Sequence, residues 1–224
     1  MDYIVAGFAI TNDIIFADGT TSKCHLGGSV FSLEGVRLWT DSCLYISNVG
    51  PDFPDYYGKW MSDNALSMEG VAYKLPHTHY DVVQYYPDNQ YYEYSIYGYS
   101  YFKDYLELTR VTPPQILGAL KDTKGSYLDI DLENPHWKQG IPQIQATGCK
   151  VMWELPPQAK DPAFHHRIME IVELVDIYSL NLPESKAFFG VDSEEKAIEK
   201  ILAIGKPCFY RVGSKGSYMI MDGQ

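Results

Sequence analysis

Residues 3–10, YIVAGFAI, form an almost unbroken apolar run, the pattern of a strand covered on both faces. NDIIFADGTTSKCHLGG follows, with short strand-like pieces about an Asp-Gly turn. Between Ser29 and Trp39 the apolar positions are Val30, Phe31, Leu33, Val36 and Leu38, a helical spacing after a Gly-Gly start. SCLYISNVG (42–50) reads as another strand and FPDYYGKWMSDNALSMEG (53–70) as a helix that closes near a glycine. VAYKL (71–75), HTHYDVVQYY (77–86) and QYYEYSIYGYSYF (90–102) then read as strands, the last two joined by residues 87–89.

The second half has a different rhythm. TPPQILGALKDTKG (112–125) predicts a helix with proline in its first turn, followed by the strand SYLDIDL (126–132). IPQIQATG leads to the strand CKVMWEL (149–155). DPAFHHRIMEIVELV (161–175) predicts a helix capped by Asp161, with Pro162 at its first position. The strand VDIYSLN (175–181), the helices PESKAFFG (183–190) and DSEEKAIEKILAIG (192–205), and the strand PCFYRVG (207–213) complete the pattern. Strands alternating with such helices imply βαβ units and a mostly parallel sheet. The Tyr-rich strands at 71–102 interrupt the alternation and read as a β insertion.

Length and composition narrow the class. With 224 residues, 46% of them hydrophobic, the chain can bury a sizeable core as a single domain. No apolar run reaches the roughly 20 residues of a membrane span. The second residue, Asp2, is acidic and no basic segment precedes the first apolar run, so a secretory signal is not expected. Cys24, Cys43, Cys149 and Cys208 are scattered without a CxxC pair, which fits reduced thiols in a cytoplasmic protein. A net charge of −11 argues against nucleic acid as a partner. It leaves room for a small phosphorylated ligand in a locally cationic or N–H-rich pocket.

In an open α/β sheet, ligands gather beyond the carboxyl ends of the strands. The residues expected there are Asn12 and Asp13, Gly50 and Asp52, Glu154, Asn181 and Glu184, and Gly213 to Gly216. A carboxylate at such a rim can hold Mg²⁺, usually through water. The plainer role is structural, with Asn181 ending a strand and Glu184 charging the first turn of the next helix. Gly27 and Gly28 either present backbone N–H groups to a polar ligand or simply make a tight turn. Gly213 to Gly216 lack the spacing of a P-loop or dinucleotide fingerprint and read as a hairpin turn with Lys215 exposed. His77 and His79 alternate along a strand, a spacing a metal could use, yet no third ligand is evident. His165 and His166 sit on an amphipathic helix, where at least one should be solvated. No nucleophile elbow supports a hydrolase. Tyrosines at 80, 85, 86, 91, 92, 94, 97, 99, 101 and 105 fit strand packing first, then stacking on a sugar or base or a dimer interface.

Taken in order, these pieces resemble the ribokinase-like (phosphofructokinase B type) carbohydrate kinase family. YIVAGFAITNDIIF resembles its opening strand, and GGSVFSLEGVRLW its Gly-Gly-x3-Asn helix start. YISNVGPDFPDYYG is similar to its Val-Gly-x-Asp-x-x-Gly stretch, and LPHTHYDVVQYYPDNQYYEY occupies the place of its lid strands. VDIYSLNLPES resembles its Asn-x-x-Glu motif, and FYRVGSKGSYM its strand and Gly-x-x-Gly segment near the nucleotide.

The resemblance implies an α/β, Rossmann-type fold: a mostly parallel sheet flanked by helices, with a small β-strand lid at about 14–26 and 71–102. It implies ATP- and Mg²⁺-dependent phosphorylation of a sugar or nucleoside hydroxyl in the cytoplasm, with neither nucleic acid nor membrane as a partner. Asn12, Asp13, Gly27, Gly28, Ser32 and Glu154 would bind the acceptor. Asn181, Gly213, Lys215 and Gly216 would bind the nucleotide, and Glu184 would organise Mg²⁺. The chain also departs from the pattern. Ser32 stands where asparagine is usual, Glu154 where aspartate is common, and the Asn12-Asp13 pair is one residue out of register. The Gly-Ala-Gly-Asp motif that supplies the family's anion hole and base does not occur. That base is expected beyond Gln224, and the chain as it stands is expected to be inactive. The alternatives are a non-catalytic sugar- or nucleoside-binding or regulatory protein, and an interaction protein that dimerises through the lid strands.

Overall fold

The computed structural model describes residues 1–88, 90–221 and 223; Asn89, in the connection expected at 87–89, Asp222 and Gln224 lie outside the described residues. The chain forms two compact units, Met1–Lys121 and Asp122–Gln224.

The first unit contains β1 (Tyr3–Ala6), β2 (Ala9–Ile15), β3 (Thr21–Gly28), α1 (Val30–Arg37), β4 (Cys43–Val49), α2 (Phe53–Asp63), β5 (Val71–Tyr73), β6 (His79–Tyr85), β7 (Tyr91–Ser95), α3 (Tyr101–Thr109) and α4 (Pro113–Ala119). The opening apolar run is not one strand. β1 lies parallel to β4, and Gly7 N–H still bonds Ile46 O at 3.1 Å. The chain then leaves that ladder, and the Phe8 carbonyl accepts from Ser29 N–H, Ser29 Oγ and Tyr45 OH at 2.9–3.1 Å. This carbonyl anchors the switch between two sheets. One runs β1–β4–β5, all parallel, and every position of β4 is buried, as expected of a strand covered on both faces. The other runs β3–β2–β6–β7, with β2 and β6 parallel and the outer pairs antiparallel.

Several element boundaries differ from expectation, among them the helix expected over 53–70, which ends at Asp63. The strand expected at 90–102 stops at Ser95, and its last residues begin α3. Alternating tyrosines mask that helix, because Tyr101 and Tyr105 satisfy a spacing of four as well as of two. Their rings pack at 4.8 Å, and Tyr101 OH donates to His77 O at 2.6 Å. The helix expected over 112–125 ends at Ala119; Thr112 and Gln115 form its capping box. The core of this unit includes Phe53 stacked on Tyr57 at 4.5 Å, and Tyr57 OH donates to Ile10 O at 2.7 Å.

The second unit contains β8 (Gly125–Leu128), α5 (Trp137–Gln145), β9 (Lys150–Glu154), α6 (His165–Leu174), β10 (Ile177–Asn181), α7 (Leu182–Phe189), α8 (Glu194–Ile204), β11 (Cys208–Arg211) and β12 (Ser217–Ile220). Its strand order is β8–β9–β10–β11–β12, parallel except for the final antiparallel pair. The expected α/β pattern of parallel strands flanked by helices is therefore present. No helix is expected at α5 from the sequence alone. Pro142 lies inside it and removes one helical donor, yet buried Trp137, Ile141 and Ile144 lie on one face and hold the helix by packing. Asp161 does cap, accepting from Ala163 N–H at 2.9 Å, but the turn it caps is 3-10, and α6 proper starts at His165. Trp153 is wholly buried at the centre of the unit and donates its indole N–H to Ile130 O at 3.2 Å.

Candidate functional site

In the second unit, the carboxyl ends of three adjacent parallel strands bring together Glu154, Asn181 and Arg211. Ser179 is the register partner of Glu154, and Asn181 that of Arg211. Arg211 forms an ion pair with Glu154 Oε1, and Tyr127 OH donates to Glu154 Oε2 at 2.6 Å. The Arg211 Nε–H is buried with no hydrogen-bond partner. A buried guanidinium donor without an acceptor is costly, and a phosphate oxygen would satisfy it. Arg211 was absent from the sequence candidates. The signal was there in a charged residue closing an otherwise apolar strand, but it reads equally well as a surface terminus.

Asn181 and Glu184 occupy each other's first-turn donors. Glu184 N–H donates to Asn181 Oδ1 and Asn181 N–H to Glu184 Oε2, each at 2.9 Å. The structural reading of this pair is thus realised. Glu184 is only 8% exposed, and burial pushes its carboxyl above the usual range. The Asn181 N–H and the Arg211 guanidinium oppose that push, Glu154 adds to it, and Lys160 opposes it. Among the described residues no group of three or more His, Cys, Asp or Glu is placed to hold a metal. The donor set therefore does not suit a protein-caged ion. Two carboxylates, Glu154 and Glu184, coupled to one guanidinium suit a hydrated Mg²⁺ carried on phosphate groups, which needs only one or two protein carboxylates.

Gly213 to Lys215 form a single 3-10 turn between β11 and β12, with Gly213 and Gly216 at φ +64° and +103°. These left-handed conformations are open to glycine and strained for other residues. Lys215 is exposed as expected and pairs with Glu194 at 3.1 Å, and Tyr218 OH donates to the other Glu194 oxygen at 3.3 Å.

In the first unit, Asn12 and Asp13 do not lie beyond a strand end. They sit inside β2, because the chain continues as a strand after its switch at Phe8. A register irregularity between Asn12 and Ile14 marks the spot. Asp13 Oδ1 accepts from Tyr80 OH at 2.6 Å and from Cys24 N–H at 3.0 Å. Asn12 points to the opposite face, its Oδ1 buried and unpartnered, with Gly27 packed so closely that a Cβ there would meet Asn12 Nδ2 at 2.6 Å. Gly28, at φ +67°, pairs with Ala9, and a Cβ on it would meet Phe8 O at 2.4 Å. The two glycines thus end β3 and allow close strand packing, and α1 begins only at Val30. Ser32 is half-buried on α1.

Asp52, expected beyond a strand end, lies at the N-cap of α2. Its Oδ1 accepts from Thr78 N–H at 2.7 Å; its Oδ2 meets His77 Nδ1 at 3.1 Å and accepts from Tyr97 OH at 3.3 Å. Burial raises its pKa, but the Thr78 and His77 hydrogen bonds outweigh that and leave it lowered. Gly50 makes this possible, since a Cβ at 50 would lie 2.3 Å from His77 C and Thr78 N. The suggested metal pair does not form. His77 is half-exposed beside Asp52, whereas His79 is buried against Thr109 Oγ1 at 2.9 Å, and burial pushes its pKa down to about 4. His166 is solvated and His165 stacks on Phe188 at 4.3 Å. The four cysteines are free, with only Cys24 exposed. A depression of about 580 Å³, lined in part by Met1, Leu44, Ile46, Gly70 and Ala119, includes none of the sequence candidates. No described helix is long and apolar enough to cross a membrane.

No family model matches the sequence, and no curated protein matches it. Solved structures do. Fructokinase from Vibrio cholerae O395, bound to fructose, ADP and calcium ion, superposes with a TM-score of 0.72 over 100% of this chain and 75% of its own, at 16% identity. The chain has the ribokinase-like fold. Adenosine kinase from Sinorhizobium meliloti gives a TM-score of 0.74 at 15% identity, over 100% of this chain and 78% of that one. A protein from E. coli described as ribokinase II, in complex with ATP and Mg²⁺, gives 0.72 at 18% identity, over 100% and 76%. In this ribokinase-like fold, β2, β3, β6 and β7 make the smaller sheet.

Proposed function

We propose that the protein binds ATP with Mg²⁺ and phosphorylates a hydroxyl of a sugar or nucleoside. The observation that carries this reading is the buried, unpartnered Arg211 Nε–H beside Asn181 and Glu184 at the ends of β10 and β11. It marks a place for an anion in a fold shared with proteins solved with fructose and ADP, and with ATP and Mg²⁺. Arg211 holds phosphate oxygens, and its tie to Glu154 fixes the guanidinium plane. Asn181 orients Glu184, and Glu154 and Glu184 would hold Mg²⁺ through water; the ion would neutralise phosphate charge. Gly213, Lys215 and Gly216 border the nucleotide. In the first unit, Asp13, fixed by Tyr80 and Cys24, would accept a hydrogen bond from an acceptor hydroxyl, with Asn12, Gly27, Gly28 and Ser32 as further acceptor contacts. The lid expected at about 14–26 and 71–102 would be the β3–β2–β6–β7 sheet, since β5 pairs with β4 and α3 takes up Tyr101 onward. Phosphoryl transfer depends on such positioning and electrostatics more than on covalent chemistry by the protein.

The test is a panel of sugars and nucleosides incubated with the purified protein, ATP and Mg²⁺, with ADP and phosphorylated product measured. Calorimetry with ATP, with and without Mg²⁺, runs in parallel. Mg²⁺-dependent ATP binding is expected of these 224 residues, and a phosphorylated product of a protein that also carries the base expected beyond Gln224. Absence of both overturns the reading. A second reading is a non-catalytic sugar- or nucleoside-binding protein. Acceptor binding without ADP formation would select it. Tyr85, Tyr91, Tyr92 and Tyr94 are exposed on β6 and β7, and light scattering tests whether that sheet forms a homodimer.

A further inference from the structure

The first unit carries a belt of rings between two carboxylates. Tyr80 meets Tyr56 edge to face at 5.3 Å, and His77 stacks on Tyr97 at 4.5 Å. Asp52, which accepts from Tyr97 OH at 3.3 Å, is the N-cap residue of α2, four residues before Tyr56. The belt is closed at one end by Asp13, which takes the Tyr80 hydroxyl, and at the other by Asp52, which takes the Tyr97 hydroxyl. Both phenols are therefore engaged as donors, and what they leave to a ligand is ring surface. Tyr56 and Tyr97 are half-buried and His77 is half-exposed, so part of that surface is accessible.

Each end of the belt is a carboxylate: Asp13 holds the Tyr80 hydroxyl and Asp52 the Tyr97 hydroxyl, with His77 Nδ1 3.1 Å from Asp52 Oδ2. A phosphate brought here would face both carboxylates. Asp13 Oδ2 has no hydrogen-bond partner among the described residues and is left to accept from a hydroxyl.

We infer that the acceptor is an uncharged molecule carrying a flat ring system beside its hydroxyls, a nucleoside rather than a simple or phosphorylated sugar. This rests on the kinase reading for its role but makes a separate claim about Tyr56, whose ring is the stacking platform.

Calorimetry with adenosine, cytidine, ribose and fructose 6-phosphate tests it on the native sequence, Tyr56→Phe and Tyr56→Ala, with thermal midpoints to show that each variant is folded. At least one nucleoside should bind at least tenfold more tightly than ribose, and fructose 6-phosphate more weakly than either. Tyr56→Phe should keep the nucleoside affinity. Tyr56→Ala should lower it about tenfold and leave ribose unchanged. Equal affinity for ribose and both nucleosides, preference for the sugar phosphate, or indifference to Tyr56→Ala each overturns the inference. Phosphorylation of a sugar phosphate by ATP would overturn it and leave the kinase reading standing. Nucleoside binding that follows the Tyr56 pattern without any ATP binding would do the reverse.

Discussion

Asn181 and Glu184 each accept the other's backbone N–H at 2.9 Å, so the first turn of α7 is fixed by the same two side chains proposed for the phosphate site. Structure and ligand chemistry are separable here by substitution. Asn181→Ala leaves the Glu184 N–H without its acceptor and should cost about 1 kcal/mol in denaturant unfolding. Glu184→Gln keeps an acceptor oxygen for Asn181 N–H. It should unfold within about 1 kcal/mol of the native sequence yet lose most of the Mg²⁺ dependence of ATP binding, with acceptor affinity unchanged. Equal loss of both affinities would sink the role given to Glu184.

Arg211 is predicted to matter more for phosphate than for folding. Its ion pair with Glu154 is partly solvent-exposed, at 35% and 28% for the two side chains, so its loss should cost about 1 kcal/mol at most. Arg211→Gln should weaken ATP binding at least tenfold, and Arg211→Lys should restore little, because an ammonium lacks the planar fork. Native ATP affinity in both variants would remove Arg211 from the site.

Asp81 gives a prediction for pH. Burial, then the neighbouring Glu93 carboxylate, raises its pKa from 3.8 to about 6, with Ser95 opposing. The folded protein thus holds this proton more tightly than the unfolded chain. The corresponding stability is present below about pH 4 and is lost as pH rises through about 6. Asp81→Asn should be more stable than the native protein at pH 7.5, by on the order of 1–2 kcal/mol, and should match it near pH 4. Parallel stability curves across that window would show that Asp81 titrates normally.

Two glycines should respond in opposite directions to alanine. At Gly50 a Cβ would lie 2.3 Å from backbone atoms of His77 and Thr78, so Gly50→Ala should destabilise by roughly 2–3 kcal/mol and disturb the Asp52 contacts. Gly58, inside α2, has Pro54 Cβ at an ordinary 3.6 Å. Gly58→Ala should stabilise by about 0.5–1 kcal/mol. Urea unfolding of both variants checks the pair, and stabilisation by Gly50→Ala would refute the close approach.

Much of the architecture was legible because burial repeats with the period of the element. The largely apolar β1, β4 and β10, the capped helices α7 and α8, and the glycine turn after β11 follow from side-chain patterning, caps and φ preferences that act over a few residues. The order of pieces that resembles a ribokinase-like kinase is of the same local kind. Tertiary structure decided where those rules compete. Phe8 O turns one apolar run into strands of two sheets, α3 draws tyrosines out of an alternating run, and packing of Trp137 and Ile141 holds a helix through Pro142. It also placed the chemistry. Nothing local marks that Arg211 keeps a buried donor unpaired beside Asn181, or that Tyr80 and Tyr97 give their hydroxyls to Asp13 and Asp52. Sequence spacing states which groups a strand offers, whereas only the register between distant strands determines which groups meet.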